Sequence, residues 1–269
     1  MLIFRIMKQI LLSVSGLLWV TLLGAQTHTS ADGMAILNKT VGQPAHTIRT
    51  IGILVYPGCN DLDFTGPRYV LGQYMGAKTM LIGTQPGPIR TVMGVNILPD
   101  TLMDQVSQLD VLVVPGGALG TVAAAQDPRL LAWVRQLDAT TQVTASVCTG
   151  SWVLGAAGLL NGKQVSTNWY RAAETMPQFG ATYTGQRYTQ DGKYWTAAGV
   201  TAGLDMSLAL LAELWSLPYA QGVMLDMEYN PAPPFSGGTP ETTPPPVREL
   251  MQQMYDMGLE LELKQLKKP

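Results

Sequence analysis

Cys148 lies at a change in the sequence pattern that indicates a reactive thiol. An apolar, β-branched segment (Val143, Thr144, Ala145) leads to it, and an apolar run with small residues, Trp152–Leu160, follows it. This pattern predicts a strand that turns sharply into a helix at the cysteine. The N–H groups and the dipole at the start of that helix would favour a thiolate and lower the thiol pKa. The competing interpretation is a buried core residue, because free cysteines are often buried.

The histidines limit the chemistry available to Cys148. The chain has two, His28 and His46, and both precede the first convincing strand. A Cys–His pair would therefore need a residue from the leader or from another chain. Without a histidine, proton transfer falls to a carboxylate, so the chemistry should need an acid more than a strong general base.

Two aspartates are candidates for this carboxylate. The segment Thr50–Tyr56 predicts a central parallel strand, and the loop after it, Cys59–Pro67 (CNDLDFTGP), carries Asp61 and Asp63. We expect the next helix to run from about Arg68 to Met75. Helix capping explains one aspartate before a helix, which leaves the other available for acid–base work.

Glycine turns accompany two further predicted elements. Leu109–Gly117 (LDVLVVPGG) is typical of a buried strand closed by a Pro-Gly-Gly turn, and Gly199–Asp205 (GVTAGLD) opens a long apolar helix. Such glycines allow backbone N–H groups to approach a ligand, and an ordinary tight turn explains them equally well. If the loops converge, backbone donors from Gly117 and Thr149 would stabilise an anion.

The order of the predicted elements indicates an α/β fold. Strands alternate with helices through the body of the chain, which predicts a doubly wound, mostly parallel sheet sandwiched by helices. Loops that leave the carboxyl ends of parallel strands meet at one edge of such a sheet. The loops that carry Asp63, Gly117, Cys148 and Gly203 are therefore predicted to converge on one site.

The composition fits one domain without nucleic-acid or metal chemistry. The chain has 269 residues, of which 46% are apolar and 13% are charged, and its net charge is −2. No basic cluster precedes the extreme C-terminus, which argues against a nucleic-acid partner. Cys59 and Cys148 are too few for a disulfide framework, and no Cys/His cluster has metal-ligand spacing. We therefore expect no metal ligands.

The ends of the chain differ from its body. Residues 1–25 predict a signal peptide cleaved near Ala25 and hence a periplasmic or secreted protein; an uncleaved leader would instead be the chain's membrane contact. Residues 26–48 are typical of a loosely ordered linker, and residues 49–230 form the predicted α/β domain. Residues 231–269 are predicted to form a proline-rich arm and a C-terminal helix that packs on the domain.

Four motifs together resemble one protein superfamily. LDFTGP, VPGG, SVCTG followed by an apolar helix, and GVTAGLD are similar to the ThiJ/PfpI superfamily of class I glutamine amidotransferase-like, flavodoxin-like folds, most closely to its isonitrile hydratase branch. The resemblance covers about residues 50–235. It implies that Cys148 is the nucleophile, Asp63 the acid/base and Thr149 a helper beside the cysteine. It also implies a homodimer that hydrates a small-molecule isonitrile to an N-substituted formamide.

The resemblance further implies a mechanism and a set of binding residues. The thiolate adds to the terminal isonitrile carbon, Asp63 supplies a proton, and water displaces the thioimidate, with no metal or cofactor. Gly116, Gly117, Trp169 and Gly203 are expected to bind substrate or to stabilise the anion.

Two features depart from the isonitrile hydratase branch. Asn168 precedes Trp169 where the branch often has a histidine, so we expect different substrate contacts there. The predicted export signal is also unusual, because relatives of this type are usually cytoplasmic. In an oxidising compartment a Cys59–Cys148 disulfide would silence the nucleophile, although two free thiols are the favoured state.

Other functions of this fold fit the sequence less well. A transcription regulator would need a helix-turn-helix domain, and only about 23 residues follow the proline-rich arm. The missing histidine disfavours a glyoxalase-like or peptidase-like activity. The alternative is a periplasmic small-molecule-binding or thiol redox-sensing protein that keeps the pocket without turnover. The presence of both Cys148 and Asp63 argues weakly against it.

Overall fold

The computed structural model describes residues 35–36 and 38–266. The predicted signal peptide, residues 1–25, lies outside the described residues, so it stays a prediction, together with the periplasmic or secreted location. Within the described part of the chain, no helix is long and apolar enough to cross a membrane.

Strands and helices alternate along most of the described chain. The strands are β1 (Thr50–Val55), β2 (Lys78–Gly83), β3 (Ile89–Arg90), β4 (Asn96–Ile97), β5 (Thr101–Leu102), β6 (Val111–Val114), β7 (Val143–Val147), β8 (Gln164–Val165), β9 (Thr182–Tyr183), β10 (Tyr188–Asp191) and β11 (Tyr194–Ala197). The helices are α1 (Asp61–Leu71), α2 (Leu119–Gln126), α3 (Pro128–Asp138), α4 (Gly150–Ala156), α5 (Ala172–Thr175), α6 (Ala202–Leu214), α7 (Leu217–Asp226) and α8 (Pro245–Gln265). Short 3₁₀ turns follow β5 (Met103–Gln105) and α5 (Met176–Phe179).

Seven of the strands form one sheet in the order β10–β11–β7–β6–β1–β2–β5. Every neighbouring pair is parallel except β10 with β11. Helix α6 packs against both α1 and α7, and α2, α3 and α4 form a second group, so that helices flank the sheet. The prediction of a doubly wound, mostly parallel α/β sheet is confirmed.

The central strands are buried because both faces of the sheet are covered. All residues of β6 (VLVV) and β7 (VTASV) are buried, as are five of the six in β1 (TIGILV). Continuous apolar runs of this kind are what a parallel sheet between helix layers requires. In the strand order β11–β7–β6–β1 these strands are neighbours, so the loops at their carboxyl ends meet at one edge.

The structure corrects the predicted start of the helix after β1. Helix α1 begins at Asp61 and not near Arg68, because the Asn60 side chain caps it by accepting the Leu62 N–H at 3.1 Å. Pro67 is accommodated inside the helix. Asp61 and Asp63 therefore lie in the first helical turn and not in a loop, which fixes the direction of their side chains.

Helices α2 and α7 were not predicted from the sequence. Both are short, largely apolar segments without an amphipathic period, so the pattern that identifies a surface helix is missing. Helix α2 packs against α4, which follows Cys148, and against the C-terminal helix α8. It therefore connects the nucleophile segment with the C-terminal part of the chain.

The C-terminal helix α8 lies against the α/β domain. Leu259, Leu263 and Leu266 are buried along this contact. An ion pair of 2.8 Å joins Asp256 to Arg171, which precedes α5. This ion pair attaches α8 to the segment before α5, which passes the carboxyl ends of the strands.

Candidate active site

Cys148 occupies a sharp turn between β7 and α4. Its φ of 57° lies in the left-handed region, which is strained for a residue with a side chain. Hydrogen bonds from other parts of the chain to both the N–H and the carbonyl of Cys148 hold this turn in place. The Cys148 N–H donates to the Ala197 carbonyl at 3.0 Å, and its carbonyl accepts from the hydroxyls of Ser151 (3.3 Å) and Thr167 (3.1 Å). The predicted strand-to-helix turn is therefore present, with the thiol at its tip.

Glycines allow three backbone segments to approach one another around this turn. A side chain at Gly150 would place its Cβ 2.1 Å from the carbonyl oxygen of Val114, at the end of β6. A Cβ at Gly116 would lie 2.7 Å from Thr149 and 2.8 Å from the Asp63 carboxyl. Distances this short exclude any side chain, so these two glycines set the spacing between the nucleophile, the carboxylate and the turn after β6.

Asp63 is a fully buried carboxyl group held beside the cysteine. Its Oδ2 accepts the Gly116 N–H at 3.0 Å, and its Oδ1 is buried without a hydrogen bond of ordinary length to any described residue. Burial raises the Asp63 pKa to about 7, while the Gly116 N–H and the Cys148 thiol partly counteract this rise. A carboxyl with this pKa can both release and accept a proton near neutral pH.

The surroundings of the sulfur differ from the prediction in one respect. Burial, and next the charge of Asp63, raise the pKa of Cys148, while the Thr149 N–H and the Asn168 amide act in the opposite direction. Asn168 Nδ2 donates to Cys148 Sγ at 3.6 Å. The expectation that the helix start lowers the thiol pKa is corrected, because the removal of water and the adjacent carboxylate outweigh the donors.

Gly116, Gly117 and Thr149 lie together, but in a different arrangement from the predicted anion pocket. The Gly116 N–H is bonded to Asp63, and the Gly117 N–H donates to Thr149 Oγ1 at 3.1 Å. Thr149 Oγ1 also pairs with the Thr121 hydroxyl at 2.8 Å. Both glycine N–H groups are thus already occupied and orient side chains, whereas the Thr149 backbone N–H is directed at the sulfur.

Trp169 and Gly203 lie near the nucleophile without entering this cluster of hydrogen bonds. Trp169 is part of the wall of a cavity of about 630 Å³ between the domain and the proline-rich arm, which Arg187 and Glu241 also line. Gly203 is in the first turn of α6, where an added Cβ would lie 2.9 Å from Val147. Gly203 therefore permits α6 to pack against the end of the strand that delivers Cys148.

Several residues of the site were not identified from the sequence. The Tyr56 hydroxyl donates to the Pro115 carbonyl at 2.6 Å and pairs with Thr121 Oγ1 at 3.0 Å. The Thr121 hydroxyl in turn pairs with Thr149 Oγ1. Tyr56 directly follows an apolar strand, and a polar group at the carboxyl end of a strand is a signal from which the sequence could have identified it. Thr121 gave no such signal. Tyr255 of α8 is also close enough for the charges of Cys148 and Asp63 to raise its pKa, after burial as the main cause.

Other potentially reactive groups lie outside this cluster. Cys59 and Cys148 are both free, buried thiols, and burial raises the Cys59 pKa to about 11. His46 precedes the amino end of β1 and thus lies at the opposite edge of the sheet from Cys148. Within the residues that the structure describes, no group of three or more His, Cys, Asp or Glu side chains could hold a metal ion.

Comparison with known proteins identifies relatives over most of the chain. A sequence model of the DJ-1/PfpI family matches residues 49–213. Isonitrile hydratase from Pseudomonas putida is 40% identical over 194 residues, which are 72% of this chain and 84% of that protein. The HTH-type transcriptional regulator CdhR from Pseudomonas aeruginosa is 30% identical over 136 residues, 49% of this chain and 39% of the regulator.

Solved structures give the same result for the fold. A THiJ/PfpI family protein from Pseudomonas syringae superposes with a TM-score of 0.80 at 37% identity and covers 86% of this chain and 93% of its own. DJ-1beta from Drosophila melanogaster superposes with a TM-score of 0.59 at 24% identity, over 68% of this chain and 98% of its own. The second similarity concerns the fold alone.

The raised pKa of Asp63 predicts how stability depends on pH. Between about pH 4 and pH 7 the folded protein holds a proton on Asp63 that the unfolded chain has lost, so the free energy of unfolding falls as pH rises through this range. A rise from 3.8 to about 7 corresponds to roughly 4 kcal/mol as an upper limit. Asp63→Asn should remove most of this decline in urea unfolding measured at several pH values.

The matched control is Asp61→Asn, on the same helical turn. Asp61 is partly exposed, and its Oδ1 accepts from the Thr91 hydroxyl at 2.9 Å, a bond that an asparagine oxygen can keep. This variant should keep the wild-type pH dependence. An unchanged decline in Asp63→Asn would show that the buried carboxyl does not hold the proton.

Proposed function

The chain belongs to the DJ-1/PfpI family, and we propose that it is an isonitrile hydratase that uses Cys148 as nucleophile and Asp63 as proton carrier. The observation that carries this proposal is the buried Asp63 carboxyl beside the Cys148 thiol, with a pKa raised to about 7. The 40% identity to an isonitrile hydratase over most of both chains supports the choice of reaction within the family.

The proposed first step forms a covalent thioimidate. Asp63 takes the proton of the Cys148 thiol as the sulfur attacks the terminal carbon of the isonitrile, so that a C–S bond forms. The proton then passes from Asp63 to the same carbon, which becomes a CH group. A carboxyl group with a pKa near neutrality suits this double role, because it gains and loses the proton at small cost.

The second step releases the product by adding water. Asp63 takes a proton from the water as the water oxygen bonds to the thioimidate carbon, and it passes this proton to the imidate nitrogen. The C–S bond of the resulting tetrahedral adduct then breaks as its hydroxyl group becomes the carbonyl; Asp63 carries the hydroxyl proton to the sulfur, and the N-substituted formamide leaves. Hydrogen bonds from the Thr149 N–H and the Asn168 amide stabilise the departing thiolate.

Substitutions at the two reacting residues test this assignment. Cys148→Ala should abolish formamide production from an isonitrile such as cyclohexyl isocyanide, and Asp63→Asn should lower kcat/KM at least about 100-fold, because it removes the proton carrier. Product is measured by mass spectrometry. Asp61→Asn is the control and should stay within about threefold of the wild type.

The outcomes separate the proposal from its alternative. Activity that survives in Cys148→Ala would exclude the thiol as nucleophile. If the wild-type protein makes neither a formamide nor a mass adduct on Cys148 with several isonitriles, the binding or redox-sensing interpretation would replace the hydratase.

The pH profile provides an independent test of the role of Asp63. The reaction starts from the ionised carboxylate, because only this form accepts the thiol proton. We therefore expect kcat/KM to rise with pH and to level off above about 7, the pKa of Asp63 in the folded protein. A flat profile between pH 5 and 8 in steady-state assays would contradict the proposed proton carrier.

We also propose that two copies associate through the exposed face of α8. The apolar residues on this face recur at alternating intervals of three and four and are between 49% and 83% exposed: Val247, Leu250, Met254, Met257 and Leu261. This is the spacing of a helix that packs against another helix. At roughly 100 Å² of exposed surface per side chain, two such faces would bury about 1,000 Å², the lower limit for a specific interface.

Charges introduced into this face should separate the copies. The double variant Met257→Glu/Leu261→Glu is expected to sediment as a monomer at concentrations where the wild-type chain is a dimer, because burial of four charges would oppose association. Glu249→Gln, which changes an exposed charge on the same helix, is the control. A monomeric wild type, or a dimer that tolerates both glutamates, would exclude this face as the interface.

A further inference from the structure

The segment from Asn168 to Arg171 is attached to the C-terminal helix α8 at several consecutive residues. The Tyr170 ring stacks on the Tyr255 ring with centroids 4.8 Å apart, and the Trp169 ring meets Tyr255 edge-on at 5.6 Å. Arg171 forms a 2.8 Å ion pair with Asp256. Two neighbouring side chains of α8 therefore hold two aromatic rings and one guanidinium group of this segment.

Further hydrogen bonds strengthen the same attachment. Asp256 Oδ1 accepts from the Tyr170 hydroxyl at 2.7 Å and from Arg171 Nε at 3.1 Å. The Arg171 residue has a φ of 47°, in the left-handed region, so the chain turns sharply at the point where Asp256 holds it. The helix thus fixes the conformation of a strained turn.

Asn168 is the first residue of this segment and the one that reaches the nucleophile. Its Nδ2 donates to Cys148 Sγ at 3.6 Å, and its Oδ1 accepts the Tyr170 N–H at 3.0 Å. The second bond fixes which end of the amide faces the sulfur. Because Tyr170 is clamped by α8, the orientation of the Asn168 amide depends on a helix nearly ninety positions further along the chain.

We propose that α8 is a positioning element of the active site, in which Tyr255 and Asp256 hold the segment 168–171 so that the Asn168 amide stays directed at the Cys148 sulfur. Helix α8 lies beyond residues 49–213, which the family model matches. The proposal thus assigns a role in the site to a part of the chain outside the residues that the family model matches. It concerns the thiol itself, and only its consequence for turnover depends on the proposed function.

The physical effect is on the thiolate. An N–H donor favours the charged form of the sulfur, and its loss shifts the thiol toward the protonated form. The other titratable groups that face Cys148 are Asp63 on α1, Tyr56 after β1, and Tyr255 itself on α8. Asp63 and Tyr56 form no hydrogen bond with Asn168 or Asp256, whereas the Asn168 side chain also bonds to Tyr255. Asp256→Ala leaves both of these side chains in place, so it reports on the amide contact without removing a group that faces the thiol.

The test is the rate of Cys148 alkylation by iodoacetamide as a function of pH, read by mass spectrometry of the Cys148 peptide of the full chain. This readout needs no isonitrile, so it stays informative if the protein is not a hydratase. Asn168→Ala and Asp256→Ala should each move the alkylation midpoint to higher pH, with about threefold less reaction at a fixed pH below it. A change in access to the thiol alters the maximal rate but not this midpoint.

A double substitution shows whether Asp256 acts on the thiol through Asn168 or independently of it. If Asp256 acts through Asn168, Asn168→Ala/Asp256→Ala should have the midpoint of Asn168→Ala alone. Asp256→Glu, which keeps a carboxylate for Arg171, should restore much of the wild-type midpoint. Tyr255→Leu removes the aromatic clamp and gives a second variant if Asp256→Ala does not fold. The control, Glu249→Ala, changes an exposed acidic residue of α8 and should leave the midpoint unchanged.

Three results would overturn the proposal. The midpoint could stay in place in Asn168→Ala, in which case the amide does not influence the thiol. It could stay in place in both Asp256→Ala and Tyr255→Leu, in which case α8 is only a structural cover. It could shift additively in the double variant, in which case the helix acts on the sulfur by another route.

Discussion

The site depends on one constraint: the Asp63 carboxyl and the Cys148 sulfur share a small volume that is almost completely buried, with Asp63 fully buried and Cys148 8% exposed. Two ionisable groups in such a volume do not both carry a negative charge, because neither charge is solvated and the two repel each other. The pKa of each group is therefore raised, and between about pH 4 and pH 7 the pair holds one proton more than the same groups would hold in water. A proton that is shared in this way is available for transfer without a histidine.

The architecture of the sheet serves to keep this pair together. Cys148 follows β7, Gly116 follows β6, and Asp63 follows β1 in the first turn of α1, and these three strands are adjacent. Since parallel strands end at the same edge, residues far apart in sequence meet without long loops. The left-handed turn at Cys148 stores backbone strain. The glycines at 116 and 150 have no side chain, which leaves room where the segments approach most closely. The buried strands compensate for this local cost.

Much of this arrangement follows from the sequence, and the failures have definite causes. The rule that functional loops meet at the carboxyl edge places Cys148, Asp63 and Gly116 together, and the structure agrees. The thiol pKa was predicted in the wrong direction because burial depends on packing from every side, which a linear pattern does not reveal. Gly117 was expected to offer a free N–H, yet the partner that occupies it, Thr149 Oγ1, is determined by tertiary geometry. Tyr255 was missed for the same reason, since no local pattern relates it to Asn168.

No histidine of the described residues lies at this site, which agrees with the proposed chemistry on an isonitrile. The terminal carbon of the isonitrile accepts both the nucleophile and the proton, so the sulfur and the hydrogen of the thiol both become bonded to the same atom. A carrier that lifts a proton from sulfur and releases it a short distance away is sufficient, and one carboxyl group with a pKa near 7 does this. A peptide or ester makes a different demand, because its leaving group must be protonated away from the attacked carbon, which favours an imidazole that faces both atoms. For the function proposed above, the Asp63–Cys148 pair therefore suits addition to one carbon better than acyl transfer.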